Sequence, residues 1–318
     1  MMSTTLRATA PPRPADAAQN GGRRGPRRSP SSHIRMTGWL FVAPAAVYVG
    51  VFHLFPVLYG LVLSFTDYSP ISRATPDFLG LDNYAAIFAD PEFLNALRVT
   101  GTYVLMVLPP LVIGGLLLAI LINRPFFGVG FVRAALYIPY IISLTAVSLI
   151  WLWMYSQSGF FNQFLDAFGL PEQRWLLEST TALPAAAAMR IWTALGSNMV
   201  LLLAGLQSVQ KELYEAAHMD GAGRWGQFLH VTLPGIRPVL TFVVAMDIIW
   251  IAQGFAEVFV LTRGGPLGST TTVNYLIWTE AFQYNQMGSA SAMAFVLFAC
   301  IMVFALITVR SMSGRSSR

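Results

Sequence analysis

Six stretches of this chain are each long and apolar enough to cross a lipid bilayer, and that leaves few folds open: 38–65, 99–123, 134–155, 183–207, 239–262 and 289–309. A helix needs about 20 apolar residues to span the hydrocarbon. These runs are too long and too evenly apolar for helices in a soluble core. The 318 residues are 55% hydrophobic and 11% charged, whereas an ordinary soluble domain is roughly 25% charged. That balance disfavours a soluble enzyme, a disordered protein and a nucleic-acid binder. The expected fold class is all-α, a polytopic membrane protein with six transmembrane helices.

The basic residues set the expected orientation, because cytoplasmic loops collect Lys and Arg. With the N-terminus inside, fifteen of the 20 basic residues fall on cytoplasmic segments. Arg7, Arg13, Arg23, Arg24, Arg27, Arg28 and Arg35 lie in the N-terminal tail. Arg124, Arg133, Lys211, Arg224, Arg237, Arg310, Arg315 and Arg318 fall in inner loops or the C-tail. Arg73, Arg98, Arg174 and Arg263 fall outside, beside acids such as Asp67, Asp77, Asp90, Glu172 and Glu280. Both termini are therefore expected in the cytoplasm. The tail 1–37, rich in Pro, Arg, Ser and Gly, reads as disordered. Its following apolar run is too long for a secretory signal core. Residues 38–97 hold the first span and an outer loop, 98–310 the core, and 311–318 a cytoplasmic C-tail. Asp90-Pro91-Glu92 predicts the capped start of a short helix leading into the second span.

The loop 208–238, between spans four and five, carries the most information. Residues 209–219 are rich in helix formers, and Ser208 can cap them. Asp220-Gly221 breaks the helix, since glycine tolerates positive φ. Residues 223–231 can be helical again, and Pro234 and Pro238 are expected to end that helix. Leu213, Ala216 and Ala217 give the first helix a small-residue face, and Trp225, Phe228 and Leu229 give the second an apolar one. Exposed to cytosol, such faces invite a partner. A plain amphipathic loop on the lipid surface is the competing reading.

Glu215-Ala216-Ala217, then Asp220-Gly221-Ala222, then Leu233-Pro234 and Pro238, resembles the EAA loop of the permeases of ABC transporters. Phe78-Leu79-Gly80-Leu81-Asp82-Asn83-Tyr84 resembles the first outer loop of the carbohydrate importers in that family, and Gly264-Gly265-Pro266 a turn they place after span five. Arg263 departs from the small or polar residue usual there. The resemblance covers 38–310 and implies a type I ABC importer permease fold in a bacterial cell membrane. It implies that Glu215, Ala216, Ala217, Asp220, Gly221, Ala222, Leu233 and Pro234 form a coupling helix seated on a separate ATPase. The implied partners are a second, unlike permease forming a heterodimer, an ATPase dimer, an extracytoplasmic solute-binding protein, the lipid bilayer and a sugar substrate. Nucleic acid is not among them.

The chain has no machinery of its own for catalysis. Its sole lysine, Lys211, lies in no phosphate-binding loop. His33, His53, His218 and His230 form no HExxH pair, and Cys300 is the only cysteine. No Gly-x-Ser-x-Gly elbow is present. No cofactor is expected to bind this chain; ATP hydrolysis would reside in the partner.

The pathway is sought among polar groups inside the spans, where ionisable residues face a cavity or a partner. On a 3.6-residue wheel Asp247, Trp250, Ile251, Gly254 and Glu257 share one stripe of span five. Trp192, Thr193, Ser197 and Asn198 form a polar group in span four. Carboxylates and amides take sugar hydroxyls, and aromatic rings stack on C–H faces. The resemblance adds Ala194 and supports most of both tracts as substrate contacts. Helix–helix adhesion is the alternative for Ser197 and Asn198. Arg190 and Glu257 lie at similar depth and are expected to pair. An ion-driven secondary transporter, or an importer of a non-sugar solute such as glycerol phosphate, are the rival functions. The first calls for inverted repeats and matched helix breaks, which the sequence lacks.

Overall fold

A computed structural model describes residues 32–313. The expected tail arginines from Arg7 to Arg28, and Arg315 and Arg318, lie outside the described residues. Among those residues the structure is helical, with one isolated bridge between Thr66 and Phe78 in place of any strand. The chain forms two compact units, one ending at Pro56 and one running from Val57 onward. In the first, α1 (Ser32–Val49) begins before the apolar run at Gly38 and holds Pro44 internally. A π-turn (Gly50–Leu54) follows, with the Tyr48 and Phe52 rings 5.2 Å apart.

α2 (Phe55–Leu63) and α3 (Asp82–Ala89) precede α4 (Pro91–Ile122). The expected short helix is the first turn of α4 itself. Asp90 caps it, its Oδ1 accepting the Glu92 N–H at 2.9 Å, and Pro91 fills a position whose missing N–H costs nothing. Next come α5 (Val129–Ile141), α6 (Leu144–Met154), α7 (Phe160–Ala167) and α8 (Ala182–Ser208). The loop after α8 holds α9 (Lys211–Met219), α10 (Arg224–Gln227), a π-turn (Phe228–Thr232) and α11 (Leu233–Gly235). α12 (Arg237–Ala252), α13 (Ala256–Leu261), α14 (Val273–Trp278) and α15 (Met287–Ser313) complete the chain.

Five helices among the described residues are long and apolar enough to cross a membrane: Leu40–Leu63, Pro91–Ile122, Ala182–Ser208, Arg237–Leu261 and Met287–Arg310. A sixth crossing exists if α5 and α6 count as one span, but they meet at 96°. The third span expected over 134–155 is thus a bent pair. Pro139 removes a helical donor just before the corner, Ile142 is extended (φ −72°, ψ 143°), and Ser143 occupies the N-cap position of α6. The fifth span is also interrupted, at Gln253, Gly254 and Phe255 between α12 and α13.

α4 and α8 lie along one another and anchor the bundle. Tyr103, Val107 and Leu111 of α4 meet Leu183, Ala186 and Met189 of α8 in one buried cluster, with Val147 and Ile251. Ala119 and Ile122 meet Met199, Leu202 and Leu206 in another, closed by Ile236 and Val243. Without hydrophobic drive between helices in lipid, close backbone approach matters. At Gly196 the backbone of α8 touches the Leu136 carbonyl of α5 so closely that any side chain would collide with it.

Candidate functional site

A cavity of about 760 Å³ opens at mid-height of α8, walled by α5, α6, α8, α12 and α13. Of the residues expected in a pathway it gathers Thr193, Ala194, Ser197, Asn198, Asp247, Trp250, Gly254 and Glu257. Asn198 is buried and donates through Nδ2 to Asp247 Oδ2 at 2.6 Å, which ties α8 to α12 at the cavity wall. Thr193 gives its hydroxyl to the Met189 carbonyl at 2.7 Å and so presents mainly its methyl group.

Two expected members lie elsewhere. Trp192 is 46% exposed and packs on Trp151, with ring centroids 5.6 Å apart, on another face of α8. Ile251 is 2% exposed and belongs to the core around Tyr103. Ile251 precedes the interruption at 253–255 and stands about 100° round α12 from Trp250, which turns it from the cavity into the core.

Glu257 and Arg190 both line the cavity, yet the expected ion pair is not formed. Glu257, fully buried at the start of α13, accepts the Tyr103 hydroxyl at 3.0 Å through Oε1 and has no partner for Oε2. Arg190 turns Nη2 to the Trp250 carbonyl at 3.4 Å and leaves Nε without a partner. The open chain at Gly254 leaves room for the Glu257 carboxylate, since a Cβ there would stand 2.5 Å from Oε1. Both unsatisfied atoms, Glu257 Oε2 and Arg190 Nε, are buried behind the cavity wall. Sequence reading missed Tyr137, Tyr140, Met246 and Gln253 among the lining residues. The signal for the tyrosines was present: two polar-tipped rings three residues apart in an apolar run, with centroids 5.6 Å apart.

At the far end of α8 lies the second site. α9 ends in a turn where Gly221 takes φ +80°, its N–H donating to the His218 carbonyl and the Ala222 N–H to the Ala217 carbonyl. That left-handed residue makes the corner expected at Asp220-Gly221. Glu215, Ala216, Asp220 and Pro234 are exposed, and Ala217, Ala222 and Leu233 half-buried. Trp225, 71% exposed, stacks on Phe228 at 5.4 Å. Tyr214 and Thr232 share a hydrogen bond of 3.1 Å that braces α9 against the π-turn. Two local expectations need correction. Ser208 bonds back to the Gly205 carbonyl rather than capping α9, because α9 starts only at Lys211. Pro234 does not stop the helix; it sits in the first turn of α11, where no N–H is needed.

A family model described as "Binding-protein-dependent transport system inner membrane component" matches residues 84–313. The lactose transport system permease protein LacF of Rhizobium radiobacter is 33% identical over 89% of this chain and 95% of its own. The arabinooligosaccharides transport system permease protein AraP of Bacillus subtilis is 34% identical over 86% of this chain and 87% of its own. A bacterial alginate ABC transporter, solved with an alginate pentasaccharide-bound periplasmic protein, contains a chain of the same fold. It superimposes with a TM-score of 0.78 at 24% identity, over 90% of this chain and 98% of that one.

Proposed function

The chain belongs to the family of inner membrane components of binding-protein-dependent transport systems, and on that premise we propose that it is one half of the translocation pathway of an ATP-driven carbohydrate importer. It is a multi-pass membrane protein and a transport subunit rather than an enzyme. Similarity to permeases named for lactose and for arabinooligosaccharides supports a sugar or oligosaccharide as cargo.

The observation that carries the reading is the placement of two features on one helix. The middle of α8 walls a cavity lined by carboxylate, amide and guanidinium groups of α8, α12 and α13, and its C-terminal end runs into the exposed α9 corner. A motor seated on α9 would thus act on a rod that reaches the cargo. The α9 corner, with Glu215 and Gly221, docks on a separate ATPase; an unlike permease completes the cavity; a solute-binding protein delivers sugar at the opposite end. Both termini then lie in the cytoplasm. Binding ATP closes the motor, and the helix packing swings between two states, each ligand biasing the equilibrium at a distance.

The test is to co-express the chain with an ABC ATPase, a second permease and a solute-binding protein from the same genome. Proteoliposomes are then assayed for ATP-dependent uptake, and Glu215→Cys is tried for crosslinking to the ATPase. Uptake that needs the ATPase, together with a crosslink, supports the reading. Uptake that persists without any ATPase overturns it.

A further inference from the structure

We propose that a second cavity, at the end of α8 remote from α9, is a saccharide subsite in line with the central one, so that the chain grips an oligosaccharide at two successive places. The inference rests on the carbohydrate-import reading above. The cavity measures about 610 Å³ and lies between the end of α6, the 155–177 segment and the turn at 262–266. Trp153, Gln157, Gln173, Arg174 and Trp175 bring indole faces, two amides and one guanidinium to it, and no carboxylate lines it. Indole rings cover the C–H faces of a sugar, while amides and a guanidinium bond its hydroxyls.

The site is built rigid. Asn162, 2% exposed, accepts the Gln173 N–H at 3.0 Å and the Trp175 indole N–H at 3.1 Å through one oxygen, and donates to the Gln173 carbonyl at 3.0 Å. A buried amide is thereby committed to holding Gln173 and Trp175 of an otherwise irregular loop. Tyr155 is fixed by donating to the Ala185 carbonyl at 2.9 Å and stacks on Phe161 at 4.9 Å; the Trp175 ring is 5.8 Å from it. Trp153, 63% exposed, would on its own read as a ring at the membrane interface. Trp175 belongs to no span and is pinned into the lining of the same cavity by Asn162.

Alignment with the central cavity sets the occupant. α13 begins beside the central cavity at Glu257 and reaches the second at Leu261, about 6 Å further by helical rise. α6 lines the central cavity at Leu144 and the second at Leu149, about 7.5 Å further along its axis and about 140° round it. Two sites so close along two shared helices suit consecutive rings of one chain. The second site acts on oligosaccharides and is idle for a monosaccharide.

The assembled importer in proteoliposomes is first given lactose, maltotriose, raffinose, arabinotriose and their component monosaccharides. For the longest sugar imported, Trp153→Ala and the double change Gln157→Ala with Arg174→Ala are each expected to raise KM about tenfold, the loss of one or two polar or stacking contacts, with kcat unchanged. The KM for an imported monosaccharide is expected to stay the same. These residues are exposed, so the variants should assemble as the parent does. Equal KM values for parent and variants at every chain length overturn the proposal. So does a loss that is equal for all sugars and tracks weaker capture of the binding protein, which would make the cavity a protein-docking surface. Import of none of these sugars by the parent overturns the carbohydrate reading itself.

Discussion

Asn198 donates to Asp247 across 2.6 Å and ties α8 to α12 at the central cavity, beside the longer contact of Arg190 with the Trp250 carbonyl. A buried amide satisfies the carboxylate on one side and leaves its other oxygen toward the cavity. The pair is thus both a helix tie and a ligand group. Asp247→Asn keeps the shape and one acceptor but removes the charge. Uptake KM is expected to rise about tenfold, with membrane insertion and assembly normal. Asn198→Ala, which leaves the carboxylate unpaired, should also lower the yield of assembled complex, as read by size-exclusion chromatography in detergent.

Tyr103 and Glu257 form a polar contact inside the bundle, both fully buried and 154 residues apart in sequence. Tyr103→Phe strands the carboxylate altogether and should cost roughly 1–3 kcal/mol of stability. In a double-mutant cycle read by thermal unfolding, Tyr103→Phe and Glu257→Gln are expected to be strongly coupled. Arg190→Gln and Glu257→Gln, which remove no direct contact between the two residues, should couple more weakly.

Gly221 sets the corner after α9 by standing at φ +80°. Proline is locked near −65°, so Gly221→Pro is expected to leave insertion intact and abolish uptake. Gly221→Asn, a residue that tolerates the left-handed region, should keep a substantial share of it. Normal uptake by the proline variant would argue heavily against docking at this corner.

Glu280 sits in the π-turn between α14 and α15, where burial pushes its carboxyl above the usual 4.5, and Asp90 and Glu92 push the same way against a hydrogen bond with Ser289. The folded state thus favours the protonated form. Its stabilising effect is complete below the ordinary glutamate value and is lost as pH rises through the raised one. Thermal unfolding followed from about pH 4 to about pH 8 should show stability falling over that window. Glu280→Gln should remove the fall and raise Tm at neutral pH.

The spans were legible because 20 apolar residues in a row admit few alternatives, and the α9 corner because Asp-Gly followed a run of helix formers. Much of the central cavity was legible too, since Asp247 and Glu257 are costly in lipid and so declare themselves. What stayed hidden depends on contacts between distant segments. Proline is tolerated within membrane helices, so Pro139 alone does not announce a corner, while Pro44, Pro109 and Pro110 lie inside α1 and α4. Ile251 was misplaced because it stands about 100° round α12 from Trp250, at the edge of the stripe, and that edge turns into the core. The Asn162 clamp could not be foreseen, because its partners at 173 and 175 become neighbours only once α7 has folded back.

The elbow between α5 and α6 has a mechanical meaning. A straight helix is a stiff lever that passes any tilt along its length. Here the two arms have different moorings: α5 is wedged backbone to backbone on α8 at Gly196, and α6 lies on α13. A displacement of α8 that carries α5 with it can therefore turn one arm while the other keeps its place on α13. One bundle can in this way loosen its hold on cargo at one mouth without opening the other.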